Sequence, residues 1–427
     1  MRGKVSAPRG WVWSKVKYVA DFYTGWTPST GNQNFFHGSN LWANISDLGP
    51  KTLYDTAKQI SDEAVKQAGI NISPAGSVLF SFKLSIGQVS FAGRDMYTNE
   101  AIATFPPQSG FNAKWAYWAL PVYVPLNADE NIYGAKLLNQ ELIRSAHILV
   151  PPPPEQTRIA NFLDKQTVRI DALIAEKERL LYSVSELFKA RLGTAVVEGL
   201  RDGARSTPAA RKGFEAVRED WELIPIKHIV TAGGGMTPSK DKAEFWDGEI
   251  PWVSPKDMKR FVLHDSEDHI TDEAVRSTSL RLYPIDSVLV VVRGMILAHT
   301  FPVALNAIPV TINQDMKALR TNARMSPKYL AWMLRGLAPL MLSLTEESAH
   351  GTKALRTDQW ATQHVPVPPR DEQAALVSQF EEWEQEAIEL KAHLEEHIAR
   401  LREYRSALIS AAVTGQLGID NFKRGAA

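Results

Sequence analysis

Two kinds of hydrophobic pattern alternate along the chain. In residues 1–150 and 201–365, short apolar runs are separated by Gly, Pro and polar residues, and the runs VLFSF (78–82) and VLVVV (288–292) predict buried strands. Residues 156–198 and 372–414 contain no proline, and their apolar residues recur at steps of three and four, which predicts two long helices. We therefore expect the order mixed α/β module, helix, mixed α/β module, helix.

Each predicted helix carries a heptad stripe of apolar residues with charged residues on both sides. Lys177 and Arg191 continue the first stripe, and Ala387 and His397 continue the second. The pattern predicts that the two helices pack on each other along a seam of about three heptads. The predicted seam residues are Ile170, Leu173, Leu180, Val184 and Leu187 in the first helix and Leu390, Leu394, Leu401, Tyr404 and Leu408 in the second.

The two modules are copies of one another. A TPS tripeptide occurs at 27–29 and again at 237–239, and Trp42 and Asp47 match Trp252 and Asp257 at the same spacing. Further on, YGAKLL (133–138) matches HGTKAL (350–355), and VPPPPEQ (150–156) matches VPPRDEQ (367–373). A match of this length indicates the duplication of a whole domain and not a short solenoid repeat.

These patterns divide the chain into four segments. We expect a first module at 1–150, a first helical spacer at 151–200, a linker and second module at 201–365, and a second helical spacer at 366–427. The linker, 201–213, is rich in Gly, Ala and polar residues. The predicted fold class is α+β: two pseudo-repeated mixed α/β modules separated by two long helices.

Composition limits the kinds of chemistry that the chain can carry. The 48 basic and 48 acidic residues cancel, which by itself argues against a nucleic-acid-binding protein, although a locally basic surface remains compatible with it. No cysteine is present, so disulfides and thiolate metal sites are excluded. Neither a membrane-spanning apolar run nor an apolar signal core is visible, and we expect a cytoplasmic protein.

Motifs for catalysis are missing. The glycine run at 233–235 fits neither a dinucleotide fingerprint nor a P-loop, and we interpret it as a turn. Asp315 and Lys317 have the spacing of a nuclease D-x-K pair, but residues 100–102 of the first copy lack the lysine. His264 and His269 do not share a helix face. We expect no enzymatic activity, no cofactor and no metal.

Basic residues near strand ends and turns are candidate phosphate contacts. Lys83 and Arg293 follow the two predicted strands, each within reach of a glycine, Gly87 or Gly294, although a solvated loop charge explains them equally well. Lys136 and Lys353 are expected in matched G-x-K loops before the helices. A further basic cluster, present only in the second copy, consists of Lys256, Lys259 and Arg260.

The whole chain resembles the specificity subunit of type I restriction–modification systems, chiefly through the twofold PPxxEQ-plus-helix element and the TPS turns. The resemblance implies that the modules are target recognition domains that read a bipartite, asymmetric DNA site. It also implies that the helices pair antiparallel as a spacer and dock two methyltransferase subunits and, in a restricting system, restriction subunits. Polar side chains at the turns would read base edges. These candidates are Thr27, Ser29, Asn44, Ser85, Thr237 and Ser239.

Three other functions remain open from the sequence. A specificity subunit of a related, methylation-only phage-defence system would have the same motifs. A coiled-coil scaffold would have the helices without a DNA role. A free-standing DNA-modifying enzyme would bind S-adenosylmethionine on its own, which the missing methyltransferase motifs argue against.

Overall fold

The computed structural model describes residues 7–29, 31–132, 134–200, 206–208, 214, 216–347, 352–419 and 422. The chain divides into two compact units. Unit 1 consists of Met1–Lys177 and Glu396–Ala427, and unit 2 of Glu178–Glu395. Most of the predicted linker at 201–213 lies outside the described residues. Within the described part of the chain, no helix combines the length and the apolar character needed to cross a membrane.

Unit 1 contains twelve strands among its described residues, together with four short helices. The strands are β1 Val12–Lys15, β2 Tyr23–Thr24, β3 Asn40–Ala43, β4 Thr52–Leu53, β5 Lys58–Ile60, β6 Val78–Ser81, β7 Val89–Ala92, β8 Tyr97–Thr98, β9 Ile102–Phe105, β10 Asp129–Glu130, β11 Lys136–Leu137 and β12 His147–Val150. The helices are α1 Val16–Val19, α2 Asp62–Ala68, α3 Ala113–Tyr123 and α4 Gln140–Ser145.

Two sheets organise unit 1. A five-stranded sheet has the order β2-β9-β6-β7-β4, and a three-stranded sheet has the order β5-β3-β8. The predicted strand VLFSF contains β6, whose four residues are all buried at the centre of the larger sheet. Trp115 and Leu120 of α3 pack with this sheet in the main core of the unit. One face of the larger sheet therefore packs against α3.

The bounds in unit 2 follow the same order after the linker. The strands are β13 Ser206–Pro208, β14 Ala216–Arg218, β15 Glu222–Pro225, β16 Val230–Gly234, β17 Trp246–Val253, β18 Val262–Leu263, β19 Asp268–Ile270, β20 Val288–Val291, β21 Arg293–Gly294, β22 Val303–Asn306, β23 Thr311–Ile312, β24 Met316–Thr321, β25 Thr345–Glu347, β26 Lys353–Leu355 and β27 His364–Val367. The helices are α6 Asp272–Ser277, α7 Pro327–Gly336, α8 Ala338–Ser343 and α9 Thr357–Thr362.

Unit 2 repeats the topology of unit 1. Its five-stranded sheet has the order β16-β24-β20-β22-β18, and its three-stranded sheet has the order β19-β17-β23, strand for strand as in unit 1. The predicted strand VLVVV contains β20, again fully buried at the centre. The duplication and the α+β class predicted from the sequence are thus confirmed. Unit 2 differs by a further three-stranded sheet, β21-β26-β25.

The two predicted long helices are α5, Pro153–Glu198, and α10, Arg370–Val413. In unit 1 the first turns of α5 and the last turns of α10 enter the same core, through Leu163 and Leu408. In unit 2 the last turns of α5 and the first turns of α10 share a core, through Leu192 and Phe380. The two helices therefore run antiparallel, as the resemblance implied.

Each long helix is fixed to its module by the buried glutamine of the PPxxEQ element. In unit 1 the Gln156 Oε1 atom accepts a hydrogen bond of 2.8 Å from the backbone N–H of Asn112, the residue that caps α3. In unit 2 the Gln373 Oε1 atom accepts one of 2.8 Å from the backbone N–H of Ser326, which caps α7. Each glutamine amide also donates to the carbonyl of the hinge residue five positions earlier, Pro151 or Pro368.

The predicted seam is wrong by one residue at every second position. Ile170, Leu394 and Leu408 are buried, and Val184 and Leu401 are half-buried, as predicted. The residues that the structure leaves exposed are Leu173, Leu180, Leu187, Arg191, Leu390, His397 and Tyr404. In their place the less exposed positions are the next residues along the helices, Ile174, Leu181, Phe188, Leu192, Lys391, Ile398 and Arg405. The buried stripe thus advances by four and then three residues, and not by three and then four.

Candidate nucleic-acid interface

The turn that carries the first TPS tripeptide crosses the end of a strand at very short range. The backbone N–H of Trp26 donates to the carbonyl of Thr98 over 2.9 Å. A Cβ atom on Gly25 would lie 1.7 Å from the same carbonyl oxygen, so only glycine is compatible with this crossing. The indole Nε1 of Trp42 donates to the carbonyl of Trp26 over 2.9 Å and fixes the turn from the other side.

Unit 2 builds the same crossing from the matched residues. The backbone N–H of Met236 donates to the carbonyl of Ile312, a Cβ atom on Gly235 would lie 1.9 Å from that oxygen, and Trp252 Nε1 donates to the Met236 carbonyl. The glycine run at 233–235 is therefore not simply a turn, since its first two residues belong to β16. The phenol of Tyr283 crosses this strand and donates to the carbonyl of Gly234 over 2.6 Å.

These crossings bring several predicted residues to one edge of each sheet pair. In unit 1, β2, β3, β6 and β8 all end at this edge, and β9 begins there. We call this edge of unit 1, together with the matched edge of unit 2, the polar edge. Its residues are Thr27, Ser29, Asn44, Lys83, Ser85, Asn99 and Glu100 in unit 1 and Thr237, Ser239, Ser254, Arg293, Asn313, Gln314 and Asp315 in unit 2.

The threonines of the TPS tripeptides have partners within the chain. The Thr27 hydroxyl donates to the Glu100 carboxylate, and the Thr237 hydroxyl donates to the Gln314 side-chain carbonyl. Asn44 likewise caps a short 3-10 turn, where its Oδ1 atom accepts from the Ser46 backbone N–H over 2.7 Å. These three side chains therefore hold the polar edge together. Ser29, Ser85 and Ser239 are exposed.

The basic cluster in unit 2 is partly neutralised by acidic residues. Lys256 Nζ lies 2.8 Å from the carboxylate of Asp268 and 3.2 Å from that of Glu267. The bond to Asp268 raises the pKa of the Lys256 ammonium, so this cation is held by the protein itself. Lys259 lies 3.9 Å from Glu267, and Arg260 is exposed. Of these three cations, Lys256 is therefore the least available for a phosphate.

Lys83 and Arg293 are the exposed cations at the polar edge. Lys83 begins the turn that follows β6, next to the start of β9, because the Phe82 N–H donates to the Ala101 carbonyl over 3.0 Å. Arg293 begins β21, and its backbone N–H donates to the Asp315 carbonyl over 3.2 Å. Neither side chain forms an ion pair within the described residues.

Lys136 and Lys353 lie in strands and not in loops. Lys136 begins β11 and lies opposite Glu130 of β10. Lys353 begins β26, where it lies opposite Gly294 on one side and Glu347 on the other. Since directly opposite residues share a face of the sheet, each lysine has an acidic neighbour. In unit 2, Arg293 lies opposite Ala354 of β26, so Lys353 is its diagonal neighbour on the paired strand.

Asn99, Glu100, Asn313, Gln314 and Asp315 were not among the predicted site residues. The register of β6 with β9 and of β20 with β24 makes Glu100 the counterpart of Gln314 and Ala101 the counterpart of Asp315. The sequence comparison that matched residues 100–102 with Asp315, Met316 and Lys317 was therefore out by one residue. A signal was present in the sequence, since Asn99 and Asn313 match across the copies.

The described residues offer no metal centre: none of their groups of His, Asp and Glu could hold a metal ion. What the polar edge does offer is a row of hydrogen-bond donors and acceptors, with an exposed cation in each unit. Such groups suit the base edges and phosphates of a nucleic acid.

Comparisons with known proteins identify the family. The model of the family described as "Type I restriction modification DNA specificity domain" matches residues 8–181 and again 218–400. The EcoR124I/EcoR124II specificity subunit of Escherichia coli is 40% identical over 145 residues, which cover 34% of this chain and 36% of that protein. The MjaIX specificity subunit of Methanocaldococcus jannaschii is 22% identical over 98% of this chain and 95% of its own length.

Two solved structures share the fold. One, described as the structural basis of complex assembly and conformational transition of the type I R-M system, has a TM-score of 0.72 at 14% identity and covers 96% of this chain and 100% of its own. The other is the HsdS subunit from Thermoanaerobacter tengcongensis, with a TM-score of 0.55 at 14% identity, covering 97% of this chain and 99% of its own.

Proposed function

Because the chain belongs to the type I restriction modification DNA specificity domain family, we propose that it selects the DNA sequence on which a type I restriction–modification complex acts. The observation that carries the proposal is the polar edge. Both units build it with the same crossing of strand ends, while the exposed side chains on it differ between the units. A shared scaffold with different side chains is what two readers of different sequences require.

The recognised site has two unlike halves in this proposal. After the matched strands β6 and β20, unit 1 continues with Lys83, Leu84 and Ser85 and unit 2 with Arg293, Gly294 and Met295, and the connection in unit 2 is longer. Base edges are distinguished by the donors, acceptors and methyl groups that side chains contact in the major groove. Since the side chains differ, the half-sites differ, and the whole site need not be a palindrome.

The proposed phosphate contacts are Lys83, Arg293, Lys259, Arg260, Lys136 and Lys353. Ser29, Ser85 and Ser239 are proposed to contact the DNA as well, while Thr27, Asn44 and Thr237 act by holding the edge in shape. Lys256, which two carboxylates already engage, contributes least. Phosphate contacts supply affinity that depends on salt, and the side chains between them supply sequence preference.

The chain itself has no catalytic role in this proposal, and the methyl transfer belongs to partner subunits. Two methyltransferase subunits would dock on the long helices. Support comes from the exposed leucines of α5, namely Leu173, Leu180 and Leu187, which are 47%, 46% and 69% exposed and follow one another at seven-residue intervals. Leucines at this interval form a continuous stripe on a helix, suited to a helix from another chain. The protein would act in the cytoplasm, where it would meet the DNA.

Exchange of one module tests the proposal. Residues 1–150 are replaced by those of a relative with a different recognised sequence, and adenine methylation is mapped across the genome of a host that carries the methyltransferase subunit. We expect one half of the methylated sequence to change and the other half to stay. A swap that alters both halves, or a host whose methylation does not depend on this chain, would contradict the proposal.

A further inference from the structure

One leucine has a backbone conformation that leucine rarely adopts. Among the described residues, the non-glycine residues with positive φ are Leu84 at 57°, Asp247 at 58° and Asp286 at 60°. Aspartate tolerates this left-handed region, because its short polar side chain can bond locally, but leucine does not. The Leu84 side chain is also 92% exposed to solvent. Leu84 is therefore unfavourable in two ways: its backbone conformation is strained, and its apolar side chain is exposed to solvent.

The turn that holds Leu84 is well defined. The Gly87 N–H donates to the Ser81 carbonyl, the Ile86 N–H donates to the Leu84 carbonyl, and the Ser81 hydroxyl donates to the Lys83 carbonyl, each over 3.0 Å. Gly87 lies against the ring of Pro125. The exposed leucine is therefore presented by a hydrogen-bonded turn that rests on the body of unit 1.

Unit 2 has a different connection after the matched strand. Residues 82–88 join β6 to β7, whereas the longer segment 292–302 joins β20 to β22 and contains β21, in which Gly294 has a φ of 140°. In unit 1 the exposed side chain of Leu84 adds no buried contact that would offset its strained backbone. Strained residues of this kind persist mainly at functional sites, which makes Leu84 a candidate functional residue.

The position of the turn indicates the contact. The hydrogen bond from Phe82 to Ala101 places it at the polar edge, beside Glu100, and Lys83 immediately precedes it. Leu84 is thus an exposed apolar side chain between two residues of the polar edge, Lys83 and Ser85. Among base edges in the major groove, the 5-methyl group of thymine is the apolar feature, and apolar side chains recognise it.

We propose that Leu84 contacts the 5-methyl group of a thymine in the half-site that unit 1 reads. This inference rests on the proposed function. Lys83 would bind the neighbouring phosphate and set the depth of the turn, and Leu84 would add the preference for thymine. The connection in unit 2 begins with Arg293, Gly294 and Met295 and has another structure, so we expect no equivalent contact there.

Removal of single methyl groups from the DNA tests this directly. The full chain, in complex with its methyltransferase subunits, is titrated with duplexes in which each thymine of the unit 1 half-site is replaced in turn by uracil. At one position we expect about a fourfold loss of affinity, the value of one buried methyl group at about 0.8 kcal/mol. The Leu84→Gly complex should bind more weakly and show no difference between thymine and uracil there.

Two further readouts separate this contact from other roles of Leu84. The Leu84→Gly chain should melt at a higher temperature, because the strain is removed, whereas a lower melting temperature would make Leu84 a structural residue and overturn the proposal. Leu126→Ala, at a leucine that is 77% exposed on another turn of unit 1, is the matched control and should keep the sensitivity to uracil.

Other outcomes also decide the matter. A half-site without thymine, equal binding of thymine and uracil at every position, or uracil sensitivity that survives in Leu84→Gly would each overturn the proposal. So would a rise in the fluorescence of 2-aminopurine next to the contact that depends on Leu84, since that shows a wedge between bases. If the unaltered complex has no sequence preference at all, the proposed function itself fails, which is a different result.

Discussion

The glutamine that ends the second PPxxEQ element is expected to stabilise unit 2 strongly. Gln373 is completely buried. Its side chain accepts a hydrogen bond from the Ser326 N–H and donates to the carbonyls of Arg324 and Pro368, with all three distances at 2.8 Å. It thus ties the first turn of α10 to the loop that enters α7 and to the proline hinge. In Gln373→Ala one backbone N–H and two backbone carbonyls lose this partner, and the bond to Pro368 is fully buried.

The expected cost follows from the number of bonds. At about 1 kcal/mol for each hydrogen bond, Gln373→Ala should lower the free energy of unfolding of unit 2 by about 3 kcal/mol. The matched residue in unit 1, Gln156, makes two such bonds, to Asn112 and Pro151. Gln156→Ala should therefore cost about 2 kcal/mol, in unit 1. The control is Gln385→Ala on the exposed face of α10, where the only hydrogen bond described for the side chain is to Glu389, and its cost should be close to zero.

The measurement has to distinguish the two units, because compact units of one chain need not unfold together. Hydrogen exchange, followed by mass spectrometry along a urea series, reports the protection of α3 and α7 separately. Gln373→Ala should lower the urea midpoint of α7 more than that of α3, and Gln156→Ala the reverse. If Gln373→Ala behaves like Gln385→Ala, or if Gln373→Ala and Gln156→Ala each weaken both units alike, the two buried glutamines do not contribute the stability assigned to them.

Two further predictions concern binding. Lys83→Ala should weaken DNA binding by a similar factor on all sequences and reduce the slope of log K against log salt by about 0.9. Lys256→Ala should leave this slope nearly unchanged, because Glu267 and Asp268 hold its ammonium. Equal slopes for the two variants, in a fluorescence titration over a salt series, would contradict this. Leu187→Ser should weaken capture of the methyltransferase subunit at least about tenfold without lowering the melting temperature, while Ile170→Ser, in the buried stripe, should lower it. Capture that survives Leu187→Ser would place the docking surface elsewhere.

The error in the helix seam shows where a pattern in the sequence stops being decisive. At three places on α5 the predicted residue and its successor are both apolar: Leu173 and Ile174, Leu180 and Leu181, Leu187 and Phe188. Hydropathy cannot choose between neighbouring columns of a helix when both are apolar. The buried column is the one that continues into the cores, where Leu163 is buried in unit 1 and Leu192 in unit 2. The other column is left exposed.

The matched residues of the two copies were informative about the scaffold. Gly25, Trp42, Asp47 and Gln156 and their counterparts could be found by comparing the copies, and each now has a contact within its own unit. The same comparison favoured Thr27 and Thr237 as DNA contacts, but their hydroxyls hold Glu100 and Gln314. A repeat preserves what both copies need, and both need the same fold. What differs between the readers lies where the copies diverge.

By itself, the sequence determined the duplication, the two long helices and the central strands, because each rests on local signals: repeated motifs, absence of proline and continuous apolar runs. Only the tertiary structure decided which apolar column of the helices is buried and which cations are free. It also decided that strand ends distant in sequence meet at one polar edge. Those properties depend on contacts such as Lys256 with Asp268 and Trp26 with Thr98, which form only when the sheets have paired and brought the two partners together.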